Sequence, residues 1–206
     1  MQEQVSGSPA LYTEIIAAIS AIIVALIGLI KVYAKSLSAK NKIDATTVLL
    51  DSQVIYDCID EIVMKTSVKR CLIFMTHNDK EVIKPSSKLY TSCLYERYEF
   101  PFASVKREYQ NFPLDISYLK MLTSLMISER VDFIVSRMAT SLLKDIYVLE
   151  GVKYSKVIYL FDKDRKKIWY MSVATDEDIE VFSKVDYAVI MKNVNNIASI
   201  IIKYEK

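Results

Sequence analysis

Glycine and proline are scarce, three and four in 206 residues. That leaves little material for a Gly-rich phosphate cradle, and neither GxGxxG nor GxxxxGKS/T occurs. Histidine is confined to His77, so a His-based metal cluster, or a Ser-His-Asp triad with a spare imidazole, is hard to build. Cys58, Cys71 and Cys93 lie scattered in apolar segments without CxxC spacing. An odd, dispersed set suits buried thiols in a reducing compartment, not a disulfide framework. Excess charge is missing as well: a net +2 leaves no nucleic-acid footprint, and no nucleic-acid partner is expected. The carboxylate groups Asp57/Asp60/Glu61 and Asp176/Glu177/Asp178 read as a solvated helix face and a loop. With no nucleophile beside a base and no metal set, neither enzyme activity nor a cofactor is expected.

What is present is one long apolar run. Residues 11–34 centre on IIAAISAIIVALIGLI (15–30), which has no charge and no proline. At roughly 1.5 Å per helical residue, about twenty such residues cross a hydrocarbon layer ~30 Å thick. Tyr12 and Tyr33 fall at the two edges, where amphipathic rings favour headgroup depth. Only Glu3 and Glu14 carry charge ahead of the run, whereas Lys31, Lys35, Lys40 and Lys42 follow it. The positive-inside rule then puts the N-terminus outside and residues 35–206 in the cytoplasm, as a single-pass protein of the cell (inner) membrane. A signal peptide cleaved after Ser38 is the rival, but its basic n-region is missing. Ala17, Ala21, Ala25 and Gly28 lie close to one helix face, where small residues let two spans approach. They mark either a homodimer contact or the ordinary abundance of small residues in spans. Lys31, Lys35, Lys40 and Lys42 are candidates for contact with anionic lipid.

The expected organisation is a polar tail (1–10), the span (11–34), a juxtamembrane linker (35–43) and one domain (44–206). Within that domain the periodicity predicts a helix over 44–66, with the stripe Val48, Ser52, Ile55, Ile59 and Ile62. Strands are expected over 69–76 and 88–100, the first turning out at His77-Asn78, and irregular chain over 101–113. A helix over 115–128 shows the stripe Ile116, Leu119, Leu122 and Met126; a strand over 131–135 and a helix over 139–149 ended by Gly151 follow. Strands over 155–161 and 167–174 flank a charged turn. Ser183, with Asp186 three residues on, opens the last helix in a capping-box arrangement. Short turns between neighbouring strands imply an α+β fold: an antiparallel sheet flanked by the N- and C-terminal helices, preceded by one transmembrane helix.

Gly151-Val152…Ser155, the hairpin, and Phe182-Ser183-x-x-Asp186-x-x-Val189-Ile190…Val194…Ile197-Ala198…Ile201 resemble the C-terminal half of a GAF domain. The match runs over about residues 150–202 and is topological before that. Tyr159 stands where that family often has Pro, and Trp169-Tyr170 where it usually turns with Ile-Gly. Neither its cyclic-nucleotide motif nor its bilin-holding Cys-His pair is present. The resemblance implies a GAF/PAS-like fold and a sensor or scaffold role, and names no ligand. One span plus one small domain is also similar in outline to single-span phage holins, whose topology has the opposite charge bias.

Candidate ligand contacts are few. Tyr95 and Arg97 share a strand face that either lines a pocket, with a stacking ring and an anion partner, or packs on the sheet. His77 is either a structural residue or a hydrogen-bonding group at a pocket mouth. The tip lysines and arginine Lys163, Arg165, Lys166 and Lys167 form either a solvated turn or a lipid contact. The expected partners are the lipid bilayer, a second copy of the chain, and a small ligand or a protein; a holin-like lesion former is the competing class.

Overall fold

The computed structural model describes residues 19–20, 22–31, 44–78, 88–163, 167–177 and 182–205. The chain divides into two units, Met1–Val48 and Leu49–Lys206. In the first, residues 22–31 are helical and all exposed, Val24, Leu29 and Ile30 among them. Ala25, Gly28 and Lys31 belong to that stretch; Ala17, Ala21, Lys35, Lys40, Lys42 and half of the expected span lie outside the described residues. Among the described residues no helix is long and apolar enough to cross a membrane.

From Ala45 onward the elements are α1 (Ala45–Lys65), β1 (Arg70–Asn78), β2 (Leu89–Tyr98), β3 (Phe112–Pro113), α2 (Ile116–Ser128), β4 (Arg130–Ile134), α3 (Leu142–Leu149), β5 (Tyr154–Lys163), β6 (Lys167–Thr175) and α4 (Lys184–Glu205). The strands form one antiparallel sheet in the order β3-β2-β1-β6-β5-β4. Side chains alternate across it, so the central strands β1, β5 and β6 feed two cores. Cys71, Ile73, Ile158, Leu160, Met171 and Val173 meet Ile55, Ile59 and Ile62 of α1 and Ile190, Val194 and Ile197 of α4. Leu72, Phe74, Val157, Tyr170 and Ala174 face the other way, toward α2, α3 and the 99–113 loop. Each fully buried aliphatic side chain contributes about 1.5–3 kcal/mol, which makes these two layers the main source of stability.

Helix ends follow their local chemistry. Asp186 N–H donates to Ser183 Oγ at 3.1 Å and Ser183 N–H to Asp186 Oδ2 at 2.9 Å, a complete capping box. At the end of α3, Val152 N–H reaches Tyr147 C=O at 2.8 Å and Gly151 N–H reaches Val148 C=O at 3.1 Å. Gly151, at φ +73°, takes the left-handed position that this closing turn requires. Lys203–Asp51 (2.6 Å) and Lys192–Glu61 (3.1 Å) link α1 to α4 and show the two helices to be antiparallel.

Four expectations need correction. His77 and Asn78 continue β1 instead of turning out of it, because they pair with Tyr90 and Leu89. The stretch 101–113 contains β3, whose Phe112 and Pro113 pair with Thr91 and Tyr90. The buried face of α2 is Tyr118, Met121, Leu122 and Leu125, so Ile116 is left 65% exposed and Met126 41%. Finally, the 139–149 helix starts only at Leu142, since Ser141 Oγ caps it by accepting from Lys144 N–H at 3.2 Å.

Candidate functional site

The structure gives the three sequence-stretch candidates separate surroundings. Tyr95 and Arg97 face α1: Tyr95 Oη shares a 3.3 Å hydrogen bond with Ser52 Oγ, its ring meets Tyr56 edge-on at 5.2 Å, and Arg97 pairs with Asp60 at 2.7 Å. His77 shares a 3.0 Å hydrogen bond with Ser92 Oγ and stacks on Tyr90 at 6.1 Å. Tyr95 stands opposite Ile73, four residues along β1 from His77, or about 13 Å at ~3.3 Å per residue. They do not converge on one cavity.

On the other face of the sheet, the space between β1, β6 and α3 is filled. Arg70 opens β1 with 2% of its surface exposed. Its guanidinium pairs with Glu150 at 2.5 Å and lies over the Phe102 ring at 4.8 Å. Glu96 draws in the loop that supplies the remaining partners, accepting from Ser104 Oγ at 2.6 Å and Val105 N–H at 2.7 Å. That loop sets Tyr109 edge-on to Phe74 and lets its hydroxyl donate to Glu150 Oε1 at 2.8 Å. Tyr147 donates to Ser155 Oγ at 3.4 Å, and Tyr170 shares a 2.9 Å hydrogen bond with Thr91 Oγ1. Burial, above all else, raises the hydroxyl pKa of Tyr109, Tyr118, Tyr147 and Tyr170, so all four remain neutral donors. What is left among them is a cavity of about 20 Å³, bounded by Arg70, Tyr109, Tyr118, Tyr147 and Tyr170. It has room for a single water, next to an Arg70 Nε that lacks a hydrogen-bond partner among the described residues.

The larger opening lies outside this layer. The left-handed Glu129 (φ +61°) turns α2 straight into β4, leaving the helix beside the sheet edge. A short turn at Val135–Arg137 and the cap at Ser141 then fold residues 138–143 across the other side. Between them is an open cleft of about 500 Å³, floored by Met121, Val131, Phe133, Met138 and Leu143, with Lys120, Ser124, Thr140 and Asp115 at its rim. The Asp115 carboxylate is committed to α2, accepting from the N–H groups of Ser117 and Tyr118 at 3.1 Å each. Burial pushes its pKa up, but the hydrogen bond from Ser117 Oγ at 2.6 Å, with those from the two N–H groups, outweighs burial and holds it below the usual carboxylate value. An apolar floor with a few polar groups at the rim is the usual make-up of a binding site. No pattern in the sequence points to this cleft; Lys120 is an ordinary lysine on an exposed helix face. Among the described residues no group of His, Cys, Asp and Glu is placed to hold a metal ion.

Comparison with solved structures decides the fold. The chain aligns with the GAF domain of a two-component sensor histidine kinase from Bacillus halodurans (TM-score 0.54, 14% identity), covering 75% of this chain and 95% of that one. A GAF domain/HD domain protein from Geobacter sulfurreducens gives a TM-score of 0.55 at 13% identity, over 75% and 94%. This chain has a GAF-like fold. A protein solved in its far-red-absorbing dark state with bound biliverdin IXa aligns over 76% of this chain and 99% of its own, at TM-score 0.50 and 11% identity. No protein-family model and no curated protein matches the sequence.

The three cysteines are buried and free. Burial pushes the Cys93 thiol up to about 12 and raises Cys58 and Cys71 as well. Iodoacetamide at mildly alkaline pH is therefore expected to label none of them in the folded protein and all of them after denaturation. Labelling of Cys93 under native conditions would show that the inner layer opens.

Proposed function

We propose that the chain is a membrane-anchored GAF-like sensor or scaffold domain whose ligand occupies the outer cleft between α2, β4 and residues 138–143. One observation carries this reading. The tyrosines and the Arg70–Glu150 pair fill the inner face down to about 20 Å³, while the cleft offers about 500 Å³. A tetrapyrrole of the kind held by the biliverdin-bound structure has no room in that inner space. The anchor is the uncharged run 15–30, whose described part is helical with its apolar side chains exposed, and the lysines after it favour a cytoplasmic domain.

Native mass spectrometry of the full chain, extracted gently in detergent, tests the cleft. The wild type should carry a bound species that Ser124→Trp, which fills the cleft from an exposed rim position, does not. Retention of that species by Ser124→Trp, or a wild type that carries none, would overturn the assignment.

Self-association through the small-residue face has its own check. Replacing Ala21 and Ala25 with Leu should lower the yield of crosslinked dimer in membranes severalfold; an unchanged yield removes that face as the contact. Induced expression in a bacterium should be tolerated, whereas an abrupt stop in respiration would favour the lesion-forming, holin-like class.

A further inference from the structure

The outer cleft is bounded on one side by the free edge of the sheet. Among the described residues β4 ends the strand order and pairs only with β5. Its register fixes where each backbone group points. Tyr159 N–H donates to Glu129 C=O at 2.8 Å and Val135 N–H to Lys153 C=O at 2.9 Å. Both pairs continue the register that sets Arg130 opposite Ile158 and Ile134 opposite Tyr154. Hydrogen-bonded pairs recur at every second residue of an antiparallel ladder. Glu129, Val131, Phe133 and Val135 therefore bond inward, and Arg130, Asp132 and Ile134 turn their N–H and C=O groups out of the sheet. Arg130 C=O accepts from Ser128 Oγ at 2.6 Å. The outward main-chain groups of Asp132 and Ile134 have no partner among the described residues.

Between those two residues, Phe133 sends its side chain into the cleft, as Val131 does one step earlier. A row of unpaired donors and acceptors thus runs alongside an apolar trough. Charge favours one sign of ligand. Lys120 at the cleft rim and Arg137, next to the lining residue Met138, form no ion pair among the described residues. Of the nearby acids, Asp115 caps α2 and Asp132 holds Lys156 at 2.8 Å, leaving Glu129 exposed at the start of the strand and Asp145 exposed in the first turn of α3.

Resting on the reading that this cleft is the occupied site, we infer that its ligand is an extended, acidic segment of another protein that adds a strand beside β4. Main-chain pairing to Asp132 and Ile134 supplies affinity, and alternate apolar side chains entering beside Val131 and Phe133 supply specificity. Acidic residues flanking them meet Lys120 and Arg137. A lipid or an aromatic small molecule would leave the edge amides unpaired. A second copy docking edge to edge would set Arg130, Arg137 and Lys120 against their own counterparts, a like-charge arrangement that works against association.

The test is a selection of short random peptides against the detergent-solubilised full chain. Enriched peptides should alternate apolar residues and carry acids. They should bind about tenfold or more weakly to Asp132→Pro, which removes an outward N–H without breaking a ladder bond, and to the Lys120→Glu/Arg137→Glu double variant. If Asp132→Pro does not fold, N-methylation of the peptide amides gives the same readout on intact protein. No enrichment, or binders indifferent both to Asp132→Pro and to N-methylation, overturns strand addition. When such indifferent binders are still lost on Ser124→Trp, the cleft reading stands and only the pairing falls; when they survive that change as well, both fall.

Discussion

Glu150→Ala is expected to lower the unfolding free energy by about 3–5 kcal/mol, because it leaves a buried cation without its partner. Arg70 is 2% exposed and the Glu150 side chain 11%, and the ion pair closes at 2.5 Å. The same truncation deprives the Tyr109 hydroxyl of its acceptor. Urea titrations of the wild type, Glu150→Ala and the double variant Arg70→Met/Glu150→Leu separate the contributions. The double variant should recover most of the loss, since an apolar pair of similar volume asks for no compensation. A drop below about 1 kcal/mol for Glu150→Ala would mean that water reaches the pair and that the inner layer is not sealed.

Deleting residues 1–43 is expected to move the chain from the membrane pellet to the soluble fraction almost completely, because about twenty uncharged apolar residues suffice for a stable span. The remainder keeps α1 from Ala45, the sheet and α4, and with them both cores. Fractionation without detergent checks this. A full-length chain that is already soluble, or a shortened one that still sediments with membranes, contradicts the anchor. Protease added to spheroplasts should leave residues 44–206 intact; their digestion from outside would reverse the topology.

The elements most legible in the sequence are those that carry their own local signals. The Ser183/Asp186 pair announces a capping box and forms one, and Gly151 ends α3 where a left-handed residue is required. The apolar stripe of α4 and that of α1 from Ile55 onward face the same side of the sheet, as expected of the flanking helices, whereas Val48 at the head of the expected α1 stripe is 42% exposed. What stayed hidden depends on distant partners. In α2 the aromatic Tyr118 competes with Ile116 for the core, and the tilt onto Phe112 and Tyr109 favours Tyr118. Arg70 was a readable clue, being a charge at the head of the apolar run CLIFMT; its partner Glu150 lies eighty residues on, and only the fold brings them together. The cleft is harder still. Its walls come from α2, β4 and a loop, and each contributes side chains that look ordinary along the chain.

Two methionines report directly on which space is used. Met138 lines the outer cleft, whereas Met121 borders both the cleft and the inner cavity. Carbon-13 methyl spectra of the methionine-labelled full chain in detergent can be recorded before and after adding the low-molecular-weight fraction of a cell extract and the selected peptides. The account predicts that binding shifts the methyl resonances of Met138 and Met121 together, and that Ser124→Trp abolishes both shifts. A shift of Met121 with Met138 unmoved would place the ligand in the inner layer and contradict it.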